Sequence, residues 1–211
     1  MGELRGVGAP IEGLFDQLAA EYEEMRVDAG WDPWPHVEQL GSLEGLEVLD
    51  LGCASGEVCE ALARGGSQVT GLDVSPQMLV QARKRLPKGR WVLHDLADPL
   101  PFEDASFDVV LALGCLEFVE EVEVACQEIA RVLRPGGRAL YVVELCGGGC
   151  ARGEDPSVIL YDAWLRHRRT QAQVEAHALG LWRSVELEQV EGYWDDEAER
   201  RVQYCRVLGW R

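Results

Sequence analysis

The chain has 211 residues, 47% of them hydrophobic and 27% charged, which is enough apolar material for one sizeable core in an ordinary globular protein. Its 37 acidic residues against 20 basic ones leave a formal charge of −17, a field that repels phosphate backbones and anionic lipid, so nucleic acid and membrane are excluded as first-choice partners. There is no membrane-span-length apolar run, no secretory or myristoylation pattern at Met1-Gly2-Glu3, and no disulfide-like spacing among seven cysteines, so the expectation is a reduced, cytoplasmic protein.

Ile11, Leu14, Phe15, Leu18, Ala19, Tyr22 and Met25 recur every three or four residues and predict one amphipathic helix over 11–25. Trp31-Asp32-Pro33-Trp34-Pro35 breaks it. From residue 46 strands and helices alternate. Strands are expected at Leu46–Leu51, Gln68–Val74, Arg90–Leu93, Phe107–Leu113 and Arg138–Leu145. Helices are expected at Glu57–Arg64, from Ser75-Pro76 to Leu86, and at Glu121–Leu133, the last stopped by Pro135-Gly136-Gly137. That alternation predicts a parallel sheet covered on both faces. In the last third, Pro156–Arg169 reads as helical, and Thr170-Gln171-Ala172-Gln173 is a capping box opening a helix that ends near Gly180. Trp182–Val190 and Arg201–Leu208 read as an antiparallel pair at the end of the sheet.

The sharpest local feature is Asp50-Leu51-Gly52-Cys53-Ala54-Ser55-Gly56, where a buried strand runs into a small-residue loop that feeds a helix. Such a loop brings backbone N–H groups close to a ligand, although tight packing alone would also require small residues. Asp73 ends the second strand 21 residues after Gly52, where a carboxylate suits the two hydroxyls of a ribose. The loop lacks the Gly-x-Gly-x-x-Gly dinucleotide fingerprint, and Asp50 and Glu57 flank it with no Arg or Lys inside. It therefore suits a cationic or zwitterionic nucleoside better than a pyrophosphate.

These residues, followed in order by Gly71-Leu72-Asp73-Val74-Ser75-Pro76-Gln77-Met78-Leu79, His94-Asp95-Leu96, Leu100-Pro101-Phe102, Ser106-Phe107-Asp108-Val109-Val110 and Val132-Leu133-Arg134-Pro135-Gly136-Gly137, give the chain its resemblance to the class I S-adenosylmethionine-dependent methyltransferases. The resemblance is to the small-molecule type and covers about residues 46–145. It implies an α/β, Rossmann-like three-layer sandwich whose seven-stranded, mostly parallel sheet ends in an antiparallel C-terminal pair. It also implies one domain, 1–211, with an N-terminal helical segment (1–40) over the site, a cofactor-binding core (46–145) and a substrate-side remainder (146–211).

Roles follow from the resemblance by position. Asp50, Gly52, Ala54 and Gly56 would cradle the methionine part and ribose of S-adenosylmethionine, and Asp73 with Val74 would hold the ribose hydroxyls. Met78 would pack on the adenine, Asp95 would accept from its amino group, Leu96 would add a backbone contact, and Leu113 would border the methionine moiety. S-adenosylhomocysteine would be the product. Ala54 departs from the glycine common in the family and is tolerated best at negative φ. Phe15-Asp16-Gln17-Leu18-Ala19-Ala20-Glu21-Tyr22-Glu23 resembles the family's pre-core helix and, more loosely, that of the orphan group related to the methyltransferase of the Williams–Beuren chromosomal region. Tyr22 would face the sulfonium or else the core.

Catalytic candidates are Tyr22 and Glu117, the latter read first as a solvated loop carboxylate and second as a group near the acceptor. Trp31 and Trp34 are expected to pack the linker. Cys146 and Cys150 read as the ends of a glycine loop, and no metal is expected. The implied activity is in-line methyl transfer to an O, N, C or S nucleophile of a small, neutral or cationic acceptor by a monomer or homodimer. A catalytically silent cofactor-binding protein and a peptide or protein methyltransferase stand as alternatives.

Overall fold

A computed structural model describes residues 11–146, 157–160, 164–195 and 200–211. Five strands run parallel: β1 (Glu47–Leu51), β2 (Gln68–Asp73), β3 (Arg90–Leu93), β4 (Phe107–Ala112) and β5 (Leu133–Glu144). Two more, β8 (Ser184–Asp195) and β9 (Arg200–Trp210), complete a seven-stranded sheet in the order β3-β2-β1-β4-β5-β9-β8, with β9 antiparallel to both its neighbours. A separate antiparallel hairpin joins β6 (Ser157–Leu160) to β7 (Trp164–His167).

The helices are α1 (Ile11–Leu18), α2 (Tyr22–Asp28), α3 (Trp34–Val37), α4 (Glu57–Arg64), α5 (Pro76–Arg85), α6 (Val122–Val132) and α7 (Gln171–Leu181). Ser75 caps α5, its hydroxyl accepting from the Met78 N–H at 3.0 Å, and Thr170 closes the capping box of α7 with Gln173.

Successive residues of each central strand point to opposite faces, which is why these strands read as unbroken apolar runs. Leu49, Leu51, Val110 and Tyr141 pack with Ile129 of α6 and Ala178 of α7. Val48, Val109, Leu111 and Leu140 pack on the opposite face with Val37 and Leu40, against Val58 and Leu62 of α4. The strand order reverses between β1 and β4, so the chain leaves the carboxyl ends of these two neighbours in opposite directions and opens a crevice there.

Three expectations need correction. The single helix over 11–25 is two helices, broken by a turn at Ala19–Glu21, because α1 and α2 are anchored separately on the core (below) and tertiary contacts override the periodicity. The segment 156–169 is not helical where it is described: Ser157–Leu160 and Trp164–His167 are paired strands. Alternation is the period that fits β7, since it sends Arg166 inward to a buried carboxylate. Finally, β5 starts at Leu133, before the Pro135-Gly136-Gly137 turn, and its register against β4 shifts there from Phe107↔Leu133 to Val109↔Arg138.

Candidate functional site

The crevice is a cleft of about 520 Å³, counted out to its open mouth. Its floor is the set of strand-end loops that sequence reasoning singled out: Gly52 and Ala54 after β1, Asp73 and Val74 at the end of β2, and Asp95 and Leu96 after β3. Gly114 and Cys115 after β4 complete it, and Ile11, Phe15 and Tyr22 roof it from the N-terminal helices. Among the described residues that line it there is no Lys, Arg or His, whereas Asp73 and Asp95 both do. That donor set fits a ligand with hydroxyls and positive charge and opposes a phosphate-bearing one.

Asp73 is buried, and each of its oxygens already accepts a backbone bond, from Ala54 N–H at 2.8 Å and from Ser75 N–H at 2.9 Å. Burial nevertheless pushes its carboxyl above the ordinary range. A carboxylate has about four acceptor positions, so lone pairs remain on both oxygens for a vicinal diol. The Ala54 bond depends on an unusual backbone: Ala54 sits at φ 47°, the left-handed region that an L side chain enters at a cost of about 1–2 kcal/mol. Gly52, at φ 66°, cannot carry a side chain, because a Cβ there would lie 2.4 Å from the Cys115 Cβ.

The roof is tied to the floor. Asp16 of α1 accepts from the Ser75 hydroxyl at 2.5 Å and from Gln77 N–H at 3.1 Å, at the start of α5. Glu23 of α2 accepts from the Ser55 hydroxyl in the glycine loop and pairs with Arg85. Burial pushes the Glu23 carboxyl up, but the Ser55 and Arg85 bonds outweigh it and hold the group low. Arg26 pairs with Glu57 on the first turn of α4. Tyr22 is thereby fixed beneath α1, edge-on to Phe15 at 6.3 Å, and burial and the charge of Asp73 push its phenol well above its usual value. Trp31 stacks at 5.4 Å on both His36 and Tyr204 and covers Gly114. Trp34 packs on the face shared by Val37 and Leu40.

Four predicted cofactor residues do not line the cleft. Asp50 is buried behind the loop, accepting from the Cys59 thiol at 3.2 Å, and burial pushes its carboxyl up to about 7. Gly56 caps α4 in the left-handed conformation, with Trp91 and Ala82 where a Cβ would be. Met78 is fully buried on α5, and Leu113 packs between two core clusters.

Glu117 is not the solvated loop carboxylate that its sequence neighbours Glu120 and Glu121 had favoured. It lies on a 3-10 turn, Leu116–Phe118, after β4, at 4% exposure, with one oxygen accepting from the Tyr204 hydroxyl at 2.9 Å. Its other oxygen has no partner among the described residues. Burial and the charge of Glu144 push its carboxyl up to about 7. Glu144 is itself paired with Arg166, whose Nε donates at 2.8 Å.

The residues that sequence reasoning missed are of two kinds. Phe118 and Val119 line the cleft and lie in a loop with no motif. Tyr204, Glu144 and Arg166 come together from β9, β5 and β7, which no local pattern relates. The Cys146–Cys150 loop lies outside the described residues except for Cys146.

Comparison with known proteins agrees with this geometry. Residues 49–141 match a family model described as a methyltransferase domain. The chain is 37% identical over 137 residues to a demethylmenaquinone methyltransferase of Tropheryma whipplei, covering 62% of this chain and 57% of that protein. It is 28% identical over 200 residues to a ubiquinone biosynthesis O-methyltransferase of Xylella fastidiosa, covering 72% and 80%. Among solved structures, it superposes on an S-adenosylmethionine-dependent methyltransferase from Mesorhizobium loti with a TM-score of 0.67 at 23% identity, over 85% of this chain and 97% of that one, a likeness of fold. The chain thus spans little more than half the length of the first of these relatives.

Proposed function

We propose that the chain, whose residues 49–141 match a methyltransferase-domain model and whose fold is that of a solved methyltransferase, transfers a methyl group from S-adenosylmethionine to a small molecule. The observation that carries this reading is the cleft itself. It sits at the switch point of the sheet, holds two carboxylates and no cation among its described lining residues, and presents Asp73 with free lone pairs at the end of β2.

The residues fit the cofactor. Asp73 would take the ribose hydroxyls, with Ala54 N–H and Ser75 N–H holding its carboxylate in place. Val74, Asp95 and Leu96 would border the adenine, and the Gly52–Gly56 loop and Gly114 the methionine part. The cofactor supplies a methyl group on a positively charged sulfur, a leaving group that departs neutral. The protein's contribution is alignment and exclusion of water. The Tyr22 ring, locked by Phe15 and by the anchors of α1 and α2, would offer an aromatic face to that charge.

The acceptor enters from the side of the cleft formed by Cys115, Phe118 and Val119, an apolar wall that suits a flat, uncharged molecule. The two relatives named above are quinone-pathway enzymes by name, and a ring of that kind is compatible with this wall. We place the protein in the cytoplasm on its cysteine usage. The reading is tested by incubating the protein with methyl-labelled S-adenosylmethionine and a small-molecule panel that includes hydroxylated aromatics, amines and thiols. Label in an extractable product together with stoichiometric S-adenosylhomocysteine is expected. Label in the protein fraction alone would contradict the small-molecule assignment.

A further inference from the structure

We propose that Glu117 receives the proton of a neutral hydroxyl acceptor of the phenol or enol class as the methyl group is transferred, with Tyr204 positioning its carboxyl. The proposal rests on the reading of the cleft as a cofactor site and adds to it the acceptor's chemistry.

A carboxylate oxygen buried to this degree without a hydrogen-bond partner is rare, because its desolvation is not offset. Glu117 has one such oxygen; it is not itself in the cleft lining, but Phe118 next to it and Cys115 two residues before it are. Its charge is felt by Tyr22 and Cys115, which also line it. The groups around Glu117 are Tyr22 on α2, Cys115 after β4, Glu144 on β5, Arg166 on β7 and Tyr204 on β9. The one cation of the set, Arg166, is engaged by Glu144 in a pair with both partners 4% exposed. The Tyr204 hydroxyl fixes one Glu117 oxygen and leaves the other for an incoming donor.

Charge bookkeeping then selects the acceptor. The oxygen lone pair forms the new O–CH₃ bond, the S–CH₃ bond breaks with its electron pair retained on sulfur, and the O–H proton goes to the free oxygen of Glu117. One positive and one negative charge disappear together, leaving a neutral thioether, a neutral ether and a neutral carboxylic acid. That end state suits a dry site where the Glu117 acid form already persists to about pH 7. A neutral amine acceptor would instead become an alkylammonium, which holds its proton more tightly than Glu117 does, so a positive charge would stay behind. An aliphatic alcohol holds its proton too tightly for a carboxylate, whereas a phenol, with a pKa of about 10, is within reach.

The experiment combines a titration with probe acceptors. Carbon-13 NMR of the Glu117 carboxyl, in the free protein and with S-adenosylhomocysteine bound, should show titration near neutrality. Tyr204→Phe, which removes a bond favouring the charged form, should move that titration upward together with the acid limb of the rate profile. Turnover of 4-methylphenol should fall by about 10²–10⁴ in Glu117→Gln, but by less than about tenfold for 4-nitrophenol, which ionises without help near neutral pH. The proposal is overturned if Glu117 titrates in the ordinary carboxylate range or if Tyr204→Phe leaves both readouts unmoved. It is equally overturned if Glu117→Gln slows both phenols alike, or if a protein that binds S-adenosylhomocysteine methylates benzylamine and no phenol, or no probe at all. Failure to bind S-adenosylhomocysteine would instead bring down the cofactor reading itself.

Discussion

Replacing Asp50 by Asn should stabilise the free protein while weakening its hold on the cofactor. Asp50 is buried, its side-chain partner among the described residues is the Cys59 thiol, and its carboxyl is raised from 3.8 to about 7. A carboxyl raised by folding supports the native state fully below its unfolded pKa and loses that support as pH climbs through the native value. At about 1.4 kcal/mol per unit, holding the ionised form costs on the order of 4 kcal/mol near pH 8 and about 1–2 kcal/mol near pH 5. Asn accepts the same thiol bond and never ionises. Urea unfolding of Asp50→Asn against wild type should therefore show a gain on the order of 4 kcal/mol near pH 8 that shrinks to about 1–2 kcal/mol near pH 5. S-adenosylmethionine affinity should fall as well, because one negative charge behind the loop is lost. An equal gain at both pH values, or a loss near pH 8, would refute the claim that Asp50 is held in a costly ionised form behind the loop.

Ala54→Gly should relieve the left-handed strain at φ 47°, raising the melting temperature by about 1–3 °C after the added unfolded-state entropy is deducted; differential scanning calorimetry reads it. Asp73→Ala removes the partner of two backbone N–H groups and of the ribose, and a loss of at least about 100-fold in S-adenosylmethionine affinity is expected by equilibrium dialysis. Arg166→Met removes the buried cation paired with Glu144 and should cost about 3–5 kcal/mol at neutral pH in chemical unfolding.

The parallel core was legible because each strand is short, apolar and closed by a loop signal, and because Ser75-Pro76 and the Thr170 box mark helix starts by local hydrogen bonding alone. The strand-end positions of Asp73 and Asp95 followed from the same regularity. Legibility failed where tertiary partners decide. Leu18 and Tyr22 share a helical period, yet Asp16 answers to α5 and Glu23 and Arg26 to the glycine loop and α4, and the helix breaks between them. Trp164–His167 has no strong pattern of its own and becomes a strand whose Arg166 meets Glu144. Glu117 sits in an acidic stretch that reads as solvated, yet it is buried where Tyr204 arrives from 87 residues away and Glu144 and Arg166 close in. Local chemistry thus wrote the strand-end floor of the cleft into the sequence, whereas the Glu117–Tyr204–Glu144–Arg166 cluster is assembled from segments that have nothing in common until the sheet is complete.

The central claim, that the cleft holds S-adenosylmethionine on Asp73, is tested most directly by calorimetric titration of the wild-type protein with S-adenosylmethionine and with S-adenosylhomocysteine. Saturable binding of both at one site per chain, lost in Asp73→Ala while the variant stays folded, is the predicted result; no heat with either ligand at millimolar concentration would contradict it.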